Sequence, residues 1–384
     1  MIIGLNAVAF APGRMGGVET YFRNLVRSLQ EVDTENDYFL ICSERYVNSF
    51  QLSNPHFKPL VCNYSKPSPL WYLRAAIRYA TPIDILRPFM NRLKVDIIHH
   101  PFSILQPINH IIPSVITFHD MQHEFFPECF SSYAIKARKA LFRPSAEQAT
   151  RIIAISEHVK KCLVERYEIP PDKIDVVYNG YSPQFQLIDD HDKLESIRSR
   201  YGLNKPFIYF PAATWPHKNH KRLLAALKLM KERYRFDGQL VLSGITMQAN
   251  NEVLAEIGRL GLQDDVTMLG YLPHEDLPYL YNLARVMVFP SLFEGFGIPL
   301  VEAMACGCPV ACSNVTSIPE VVGNAALTFD PCSIEEITEI TWKLWSDESL
   351  RQESISRGLT RVKLFNWGNM ARRTIKVYEK AGGR

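Results

Sequence analysis

Short apolar runs recur along the chain, with stretches of helical periodicity between them. In the first half the runs fall at 2–8, 38–42, 95–99, 115–118, 152–155 and 174–178. In the second half they fall at 207–210, 240–242, 266–269, 286–289, 309–312 and 325–329. Most are continuous and few alternate strictly, the pattern of strands covered on both faces of a parallel sheet. Amphipathic segments at 19–30, 157–167, 220–233, 278–284 and 334–345 separate them. Such repeated β-α alternation predicts an α/β fold of doubly wound parallel sheets. The pattern runs twice. Residues 181–204 follow the turn-forming Asn179-Gly180 and carry few apolar runs, so they read as a connection. The expected organisation is a first domain over 1–180, a linker over 181–204, a second domain over 205–365 and a final helical segment over 366–384.

The length of 384 residues suits two domains. A net charge of +3 gives no support for a nucleic-acid binder. No apolar run is long enough to span a bilayer. The opening Met-Ile-Ile-Gly-Leu-Asn-Ala-Val reads as a first buried strand rather than a leader, because no basic segment precedes it. Eight cysteines are scattered and none forms a C-x-x-C pair. They read as small buried residues of a reducing compartment, which points to the cytoplasm, and no metal is expected. The charge is uneven, however. Between Lys66 and Lys94 six Lys/Arg stand against one acid, Asp84, with Trp71, Tyr72, Leu73, Tyr79 and Phe89 among them. Two readings fit 66–94: a basic, aromatic face for anionic lipid at the inner side of a membrane, or a packed helix pair with a solvated basic side.

Ligands of doubly wound sheets bind at the carboxyl ends of the strands, so the loops just after strands are the candidates. Glu294-Gly-Phe-Gly-Ile-Pro-Leu-Val-Glu302 follows the run 286–289. Gly295 and Gly297 allow a tight backbone path, and Pro299 suits the first turn of a helix. A Gly-rich turn opening into a helix presents N–H groups to a phosphate or a sugar hydroxyl. Glu294 and Glu302 each suit a diol. The same pair also fits a hydrolase acid and nucleophile, because the Gly-Pro turn leaves their separation open. Pro211-Ala-Ala-Thr-Trp-Pro-His-Lys-Asn-His220 follows the run 207–210. There Asn219 is a candidate helix cap, and Lys218 stands beside a phosphate or is simply solvated. Thr117-Phe-His-Asp120 ends an apolar run, where His119 is placed to meet a leaving group or a sugar hydroxyl or to pack at a sheet edge. Pro12-Gly-Arg-Met-Gly-Gly17 is Gly-rich but is not G-x-G-x-x-G, and neither a P-loop nor a G-x-S-x-G elbow occurs.

Together these residues resemble a known family. The run Val286–Glu320, with its Glu, seven residues, Glu, closely resembles the donor-site signature of retaining glycosyltransferase family 4. Leu269-Gly-Tyr-Leu-Pro273, Trp215-Pro-His-Lys-Asn219, Asn179-Gly180, Thr117-Phe-His-Asp120 and Gly16-Gly17 fall in the family's order. The resemblance covers most of the chain, is strongest over 207–330 and is thin over 43–94. It implies the GT-B architecture, two Rossmann-like domains facing a cleft, with the last helix returning to the first domain. It implies that Glu302 binds the ribose hydroxyls of a nucleotide-sugar donor and Glu294 the transferred sugar. Gly295, Phe296 and Gly297 meet sugar and phosphate, and Lys218 neutralises the diphosphate. Gly17 approaches that diphosphate, and His119 hydrogen-bonds the sugar. Gly244, Tyr271 and Leu272 complete the donor site, with Tyr271 and Leu272 beside the base.

The resemblance implies His119, Lys218 and Glu294 as the catalytic groups, with no cofactor. The Arg that many members carry about six residues before Lys218 is replaced here by Ala212-Ala213-Thr214. The wording of 214–220 resembles bacterial mannosyltransferase-type members most. It implies GDP-mannose as donor, with a UDP-sugar as the other possibility, and a glycan or lipid-linked glycan acceptor in surface polysaccharide synthesis. A nucleotide-sugar epimerase, a phosphorylase-type enzyme and a non-catalytic binding scaffold are the competing readings.

Overall fold

The computed structural model of the chain describes residues 1–13, 15–64, 68–81 and 83–383. Arg14 of the Gly-rich loop and Lys66 of the basic stretch lie outside the described residues. The chain divides into two compact units. One comprises Met1–Phe125, Phe130–Asn179 and Trp367–Arg384, and the other Phe126–Cys129 and Gly180–Asn366.

The first unit is built on seven strands: β1 (Ile2–Asn6), β2 (Asp37–Cys42), β3 (Phe57–Val61), β4 (Ile97–His100), β5 (Ser114–Phe118), β6 (Arg151–Ala154) and β7 (Ile174–Val176). They pair in parallel in the order β3-β2-β1-β4-β5-β6-β7. Six of the seven coincide with the continuous apolar runs. β3 does not, because Phe-Lys-Pro-Leu-Val is an edge strand. It pairs only with β2, so its outer side tolerates Lys58 and the missing N–H of Pro59. The carboxyl ends of β1 and β4 form the point where the strand order reverses. There Asn6 Nδ2 meets His100 Nδ1 at 3.1 Å.

The last helix, Trp367–Ala381, packs on the helix Gly17–Val32. A buried polar chain ties it to the sheet. Tyr378 Oη meets His99 Nδ1 at 2.7 Å, and His99 Nε2 meets Thr117 Oγ1 at 2.8 Å. Thr117 Oγ1 also bonds Tyr21 Oη, again at 2.8 Å. Each polar atom buried here has a partner, which removes the desolvation penalty an orphan would carry.

The second unit has six strands: β8 (Phe207–Pro211), β9 (Gln239–Ser243), β10 (Val266–Met268), β11 (Val286–Phe289), β12 (Val310–Ser313) and β13 (Leu327–Phe329). Their order is β10-β9-β8-β11-β12-β13, again all parallel. This 3-2-1-4-5-6 order puts the crevice at the carboxyl ends of β8 and β11. The segment 181–204, expected as a connection, carries the helix His191–Arg200 and is part of this unit. Phe185, Ile197 and Leu203 are buried, and Ile188 N–H donates to Asn282 Oδ1 at 3.0 Å.

The basic stretch forms two helices, Pro69–Ala80 and Leu86–Asn91. Arg74 does not join a basic surface. It is buried and makes two 2.7 Å bonds to the carboxylate of Asp84. The same helix exposes Leu70, Tyr72, Leu73 and Tyr79, followed by Ile83.

Candidate active site

The crevice of the second unit is closed by two loops. The loop after β8 ends in a short 3-10 turn, Pro216–Lys218, and the loop after β11 runs from Pro290 to Gly297. They are joined at three places. Leu292 N–H donates to His217 O at 2.8 Å. Asn219 Nδ2 donates to Pro290 O at 3.0 Å and to Pro331 O at 2.8 Å. Lys218 Nζ meets Glu294 Oε1 at 2.5 Å, with both side chains mostly buried. Lys218 Nζ also lies 5.3 Å from the centre of the Phe289 ring, whose face favours a cation.

Asn219 is not the helix cap that its position suggests. Its backbone is left-handed, at φ 64°, and its side chain makes no cap hydrogen bond. An N-cap needs extended backbone to aim its oxygen at the helix N–H groups. Here the amide is spent on two carbonyls of neighbouring loops instead, which fixes the position of the adjacent Lys218.

The Gly-rich turn is held from below. Ser317 Oγ lies 3.0 Å from Glu294 O and 3.2 Å from Phe296 O, and Glu294 N–H donates to Thr316 Oγ1 at 3.2 Å. Gly297 has φ 97° and precedes the helix Ile298–Ala305. A Cβ there would also stand 2.8 Å from Leu300 Cδ1. Phe296 turns its ring into the core against Phe365, so only its backbone and that of Gly295 border the turn.

Glu302 lies one turn into that helix and is buried. Tyr281 Oη, from the helix Leu277–Leu283, donates to Glu302 Oε2 at 3.1 Å. Burial pushes the Glu302 carboxyl up to about 7, against the Tyr281 hydrogen bond, which lowers it. The two glutamates thus have different partners, a lysine for one and a phenol for the other.

Gly244, Tyr271 and Leu272 sit on the loops after β9 and β10. A Cβ on Gly244 would stand 2.5 Å from the carbonyl carbon and oxygen of Ala212, so glycine is required where these loops touch. The Ala212-Ala213-Thr214 stretch is therefore packed backbone-close against the next loop. Gly244 N–H donates to Gly270 O at 2.7 Å. Tyr271 is exposed while Leu272 is buried.

On the first unit, Gly17 opens the helix Gly17–Val32, and a Cβ there would meet no atom within 4 Å. His119 follows β5, is buried, and donates from Nε2 to Pro101 O at 2.7 Å. That bond fixes the tautomer and leaves Nδ1 as an acceptor. Burial lowers the pKa of His119, although the Pro101 carbonyl and Asp120 oppose it, so the ring is neutral. Tyr21, one turn into the Gly17 helix, packs edge-on to it with ring centres 4.9 Å apart.

Residues 194–361 match the family described as glycosyl transferases group 1, and residues 15–185 match glycosyltransferase family 4. O-antigen chain mannosyltransferase B of Escherichia coli is 32% identical over 285 residues, 74% of this chain and 74% of that protein. The chain belongs to glycosyltransferase family 4. O-antigen chain mannosyltransferase RfbU of Salmonella typhimurium is 28% identical over 343 residues, 86% of this transferase and 87% of the relative. Among solved structures, WaaG, a glycosyltransferase involved in lipopolysaccharide biosynthesis, is 16% identical with a TM-score of 0.72. The match covers 98% of this transferase and 99% of that chain. Anabaena HepE in complex with UDP-glucose is 18% identical with a TM-score of 0.73, over 99% of both chains. The transferase therefore has the GT-B fold class, two Rossmann-like parallel-sheet domains.

Of the residues singled out from the sequence, Lys218 and Glu294 meet at the crevice, and Gly295, Phe296, Gly297 and Glu302 lie on the turn and helix that follow Glu294. Tyr281, Thr316 and Ser317, which bond to Glu302 and to this turn, are not among them. Ser317 stands just before the Ile-Pro-Glu320 of the signature, and Tyr281 sits on the inner face of an amphipathic segment. Nothing local in the sequence shows the partner that each of them serves.

Proposed function

We propose that this glycosyltransferase moves mannose from GDP-mannose, with retention and without a metal, onto a glycan or lipid-linked glycan of a surface polysaccharide. The likeness to two O-antigen mannosyltransferases supports the sugar and the acceptor class. The observation that carries the mechanism is the ion pair of Lys218 with Glu294 at the strand-order reversal of the second unit.

In this reading the bond from the anomeric carbon to the phosphate oxygen breaks, and negative charge grows on the diphosphate. Lys218 and the N-terminal end of the helix Ile298–Ala305 oppose that charge. Glu294 accepts hydroxyls of the sugar, and Glu302 accepts those of the ribose. The neutral His119 accepts a sugar hydroxyl at Nδ1. The acceptor oxygen forms its bond to the anomeric carbon on the face the leaving group departs, and its proton passes to a phosphate oxygen. No protein nucleophile is used.

The basic, aromatic region adds a peripheral contact to an anionic membrane. The apolar side chains exposed by the helix Pro69–Ala80, beside Arg78, support this. No helix among the described residues is long and apolar enough to cross a membrane.

The test is transfer from GDP-mannose, UDP-glucose and UDP-galactose to mannosyl acceptors with a chelator present, followed by proton NMR of the fresh product. Transfer of mannose with the donor's α configuration is expected. An inverted product, or a covalent sugar adduct trapped on Glu294, would contradict it.

A further inference from the structure

The second unit contains a cavity of about 350 Å³ that opens off the same two loops as the ion pair. Its wall includes Trp215, Asn219, Lys221, Arg222, Glu252 and Leu292. It is bounded by the starts of the helices His220–Tyr234 and Asn250–Leu260. These helices follow β8 and β9. Right-handed crossovers put them on one face of the sheet, and the helix of Glu302 on the other. The cavity is thus separate from the Glu302 carboxyl, although Trp215 is three residues from Lys218 and Leu292 two from Glu294.

Its chemistry is that of a site for neutral sugar. Among the described residues the indole of Trp215 makes no ring contact, cation contact or hydrogen bond, yet it is only partly exposed. A flat, unengaged aromatic face in a concave wall matches the C–H face of a pyranose, and Leu292 adds apolar surface. Polar groups surround that face. Lys221 Nζ and Glu252 Oε2 are 3.3 Å apart and offset each other's charge. Arg222 Nη1 donates to Asn219 Oδ1 at 3.0 Å, which uses one of the five guanidinium N–H groups. Donors and an acceptor are therefore present with a single net positive charge, a balance suited to hydroxyl groups. The volume lies at the lower end of the roughly 300–1,000 Å³ of small-molecule sites.

We propose that this cavity is a glycan subsite, which takes a neutral pyranose of the acceptor chain on the face of Trp215 and bonds its hydroxyls through Arg222 and Glu252. The proposal rests on the reading of the chain as a transferase acting on a glycan. It assigns the second unit a part in holding the acceptor as well as the donor. Longer acceptors, which reach the cavity, bind more tightly than a single mannoside.

The test uses α-linked manno-oligosaccharides from one to five residues with the full chain. Affinities are measured by calorimetry and contacts by saturation-transfer NMR, for wild type, Trp215→Ala, Trp215→Phe and Glu252→Ala. GDP is titrated into each protein as a separate arm, and thermal melting shows that each variant is folded. Affinity is expected to rise with length in wild type and to fall about tenfold for the pentasaccharide in Trp215→Ala, the loss of one stacked ring. Trp215→Phe keeps most of that affinity, Glu252→Ala loses about threefold, and GDP affinity stays within about twofold throughout. A folded Trp215→Ala protein that binds the pentasaccharide as wild type does overturns the subsite. Failure of wild type to bind any nucleotide overturns the transferase reading beneath it, a result the separate GDP arm identifies.

Discussion

Lys218 Nζ stands 2.5 Å from Glu294 Oε1, so the two charges expected to meet a donor's diphosphate and sugar also meet each other. Both side chains are mostly removed from water, at 17% and 13% exposure. Neither charge is left uncompensated. The ammonium has three N–H groups and the carboxylate two oxygens, so each keeps capacity for a ligand while the pair persists. The pair therefore pre-positions the two loops, which lowers the ordering required on binding.

Removing one partner leaves the other partly buried and alone. Lys218→Ala is expected to lower stability by about 1–3 kcal/mol, the penalty of an unsatisfied group. It also lowers kcat by about 10²–10³, as for loss of one group that opposes transition-state charge. Chemical denaturation and initial-rate kinetics check the two effects. Lys218→Arg keeps the charge and restores part of both.

The fate of Glu302 sets a pH dependence. Its carboxyl titrates at about 7 in the folded protein, raised by burial from the ordinary value of 4.5. The folded state thus holds its proton where the unfolded chain has lost it, so this group's contribution to stability falls as pH rises from about 4.5 to about 7. Donor binding runs the other way, because ribose hydroxyls need an ionised acceptor. Nucleotide affinity is expected to rise up to tenfold per pH unit below about 7 and then level off. Glu302→Gln removes the inflection and weakens binding. Tyr281→Phe, which loses the 3.1 Å hydrogen bond that lowers the Glu302 pKa, moves the inflection to higher pH. Calorimetric titration with GDP from pH 5.5 to 8.5 reads all three.

Much of this site was legible in the sequence because its backbone chemistry is local. Gly295, Gly297 and Pro299 announce a turn and a helix start, and the continuous runs at 207–210 and 286–289 announce buried parallel strands. The rest depends on partners distant in the chain. Nothing near Asn219 shows that Pro290 and Pro331 carbonyls claim its amide, so the local capping rule fails there. The edge strand Phe57–Val61 escapes because an edge needs no continuous apolar run. Arg74 reads as part of a basic face until Asp84 is seen to bury it.

The turn beneath Glu294 depends on Ser317, whose hydroxyl lies within hydrogen-bond range of two of its carbonyls. Ser317→Ala is expected to cost about 1–2 kcal/mol of stability. It raises the donor KM more than it lowers kcat, since the turn is loosened without loss of a charged group. Steady-state kinetics separates this from Lys218→Ala, whose main effect is on kcat.

In the basic region, two kinds of residue are expected to behave differently. Arg74→Ala strands a buried Asp84 and destabilises the first unit by about 3–5 kcal/mol. Asp84 is held below its usual carboxylate range, against burial, chiefly by its bonds to Arg74, so this support is present above the unfolded pKa and fades as pH falls through the folded one. Leu73→Asp with Tyr79→Asp alters only exposed side chains. It leaves the melting temperature nearly unchanged and reduces sedimentation with anionic vesicles several-fold.

The most direct measurement is calorimetric titration of wild type and Lys218→Ala with GDP, GDP-mannose, UDP and UDP-glucose at pH 7.5. Wild type should bind GDP and GDP-mannose at least tenfold more tightly than the uridine pair, and Lys218→Ala should lose at least tenfold of that affinity while remaining folded. Equal binding to folded wild type and Lys218→Ala, or no binding of any nucleotide by wild type, would contradict a donor site built on the Lys218–Glu294 pair.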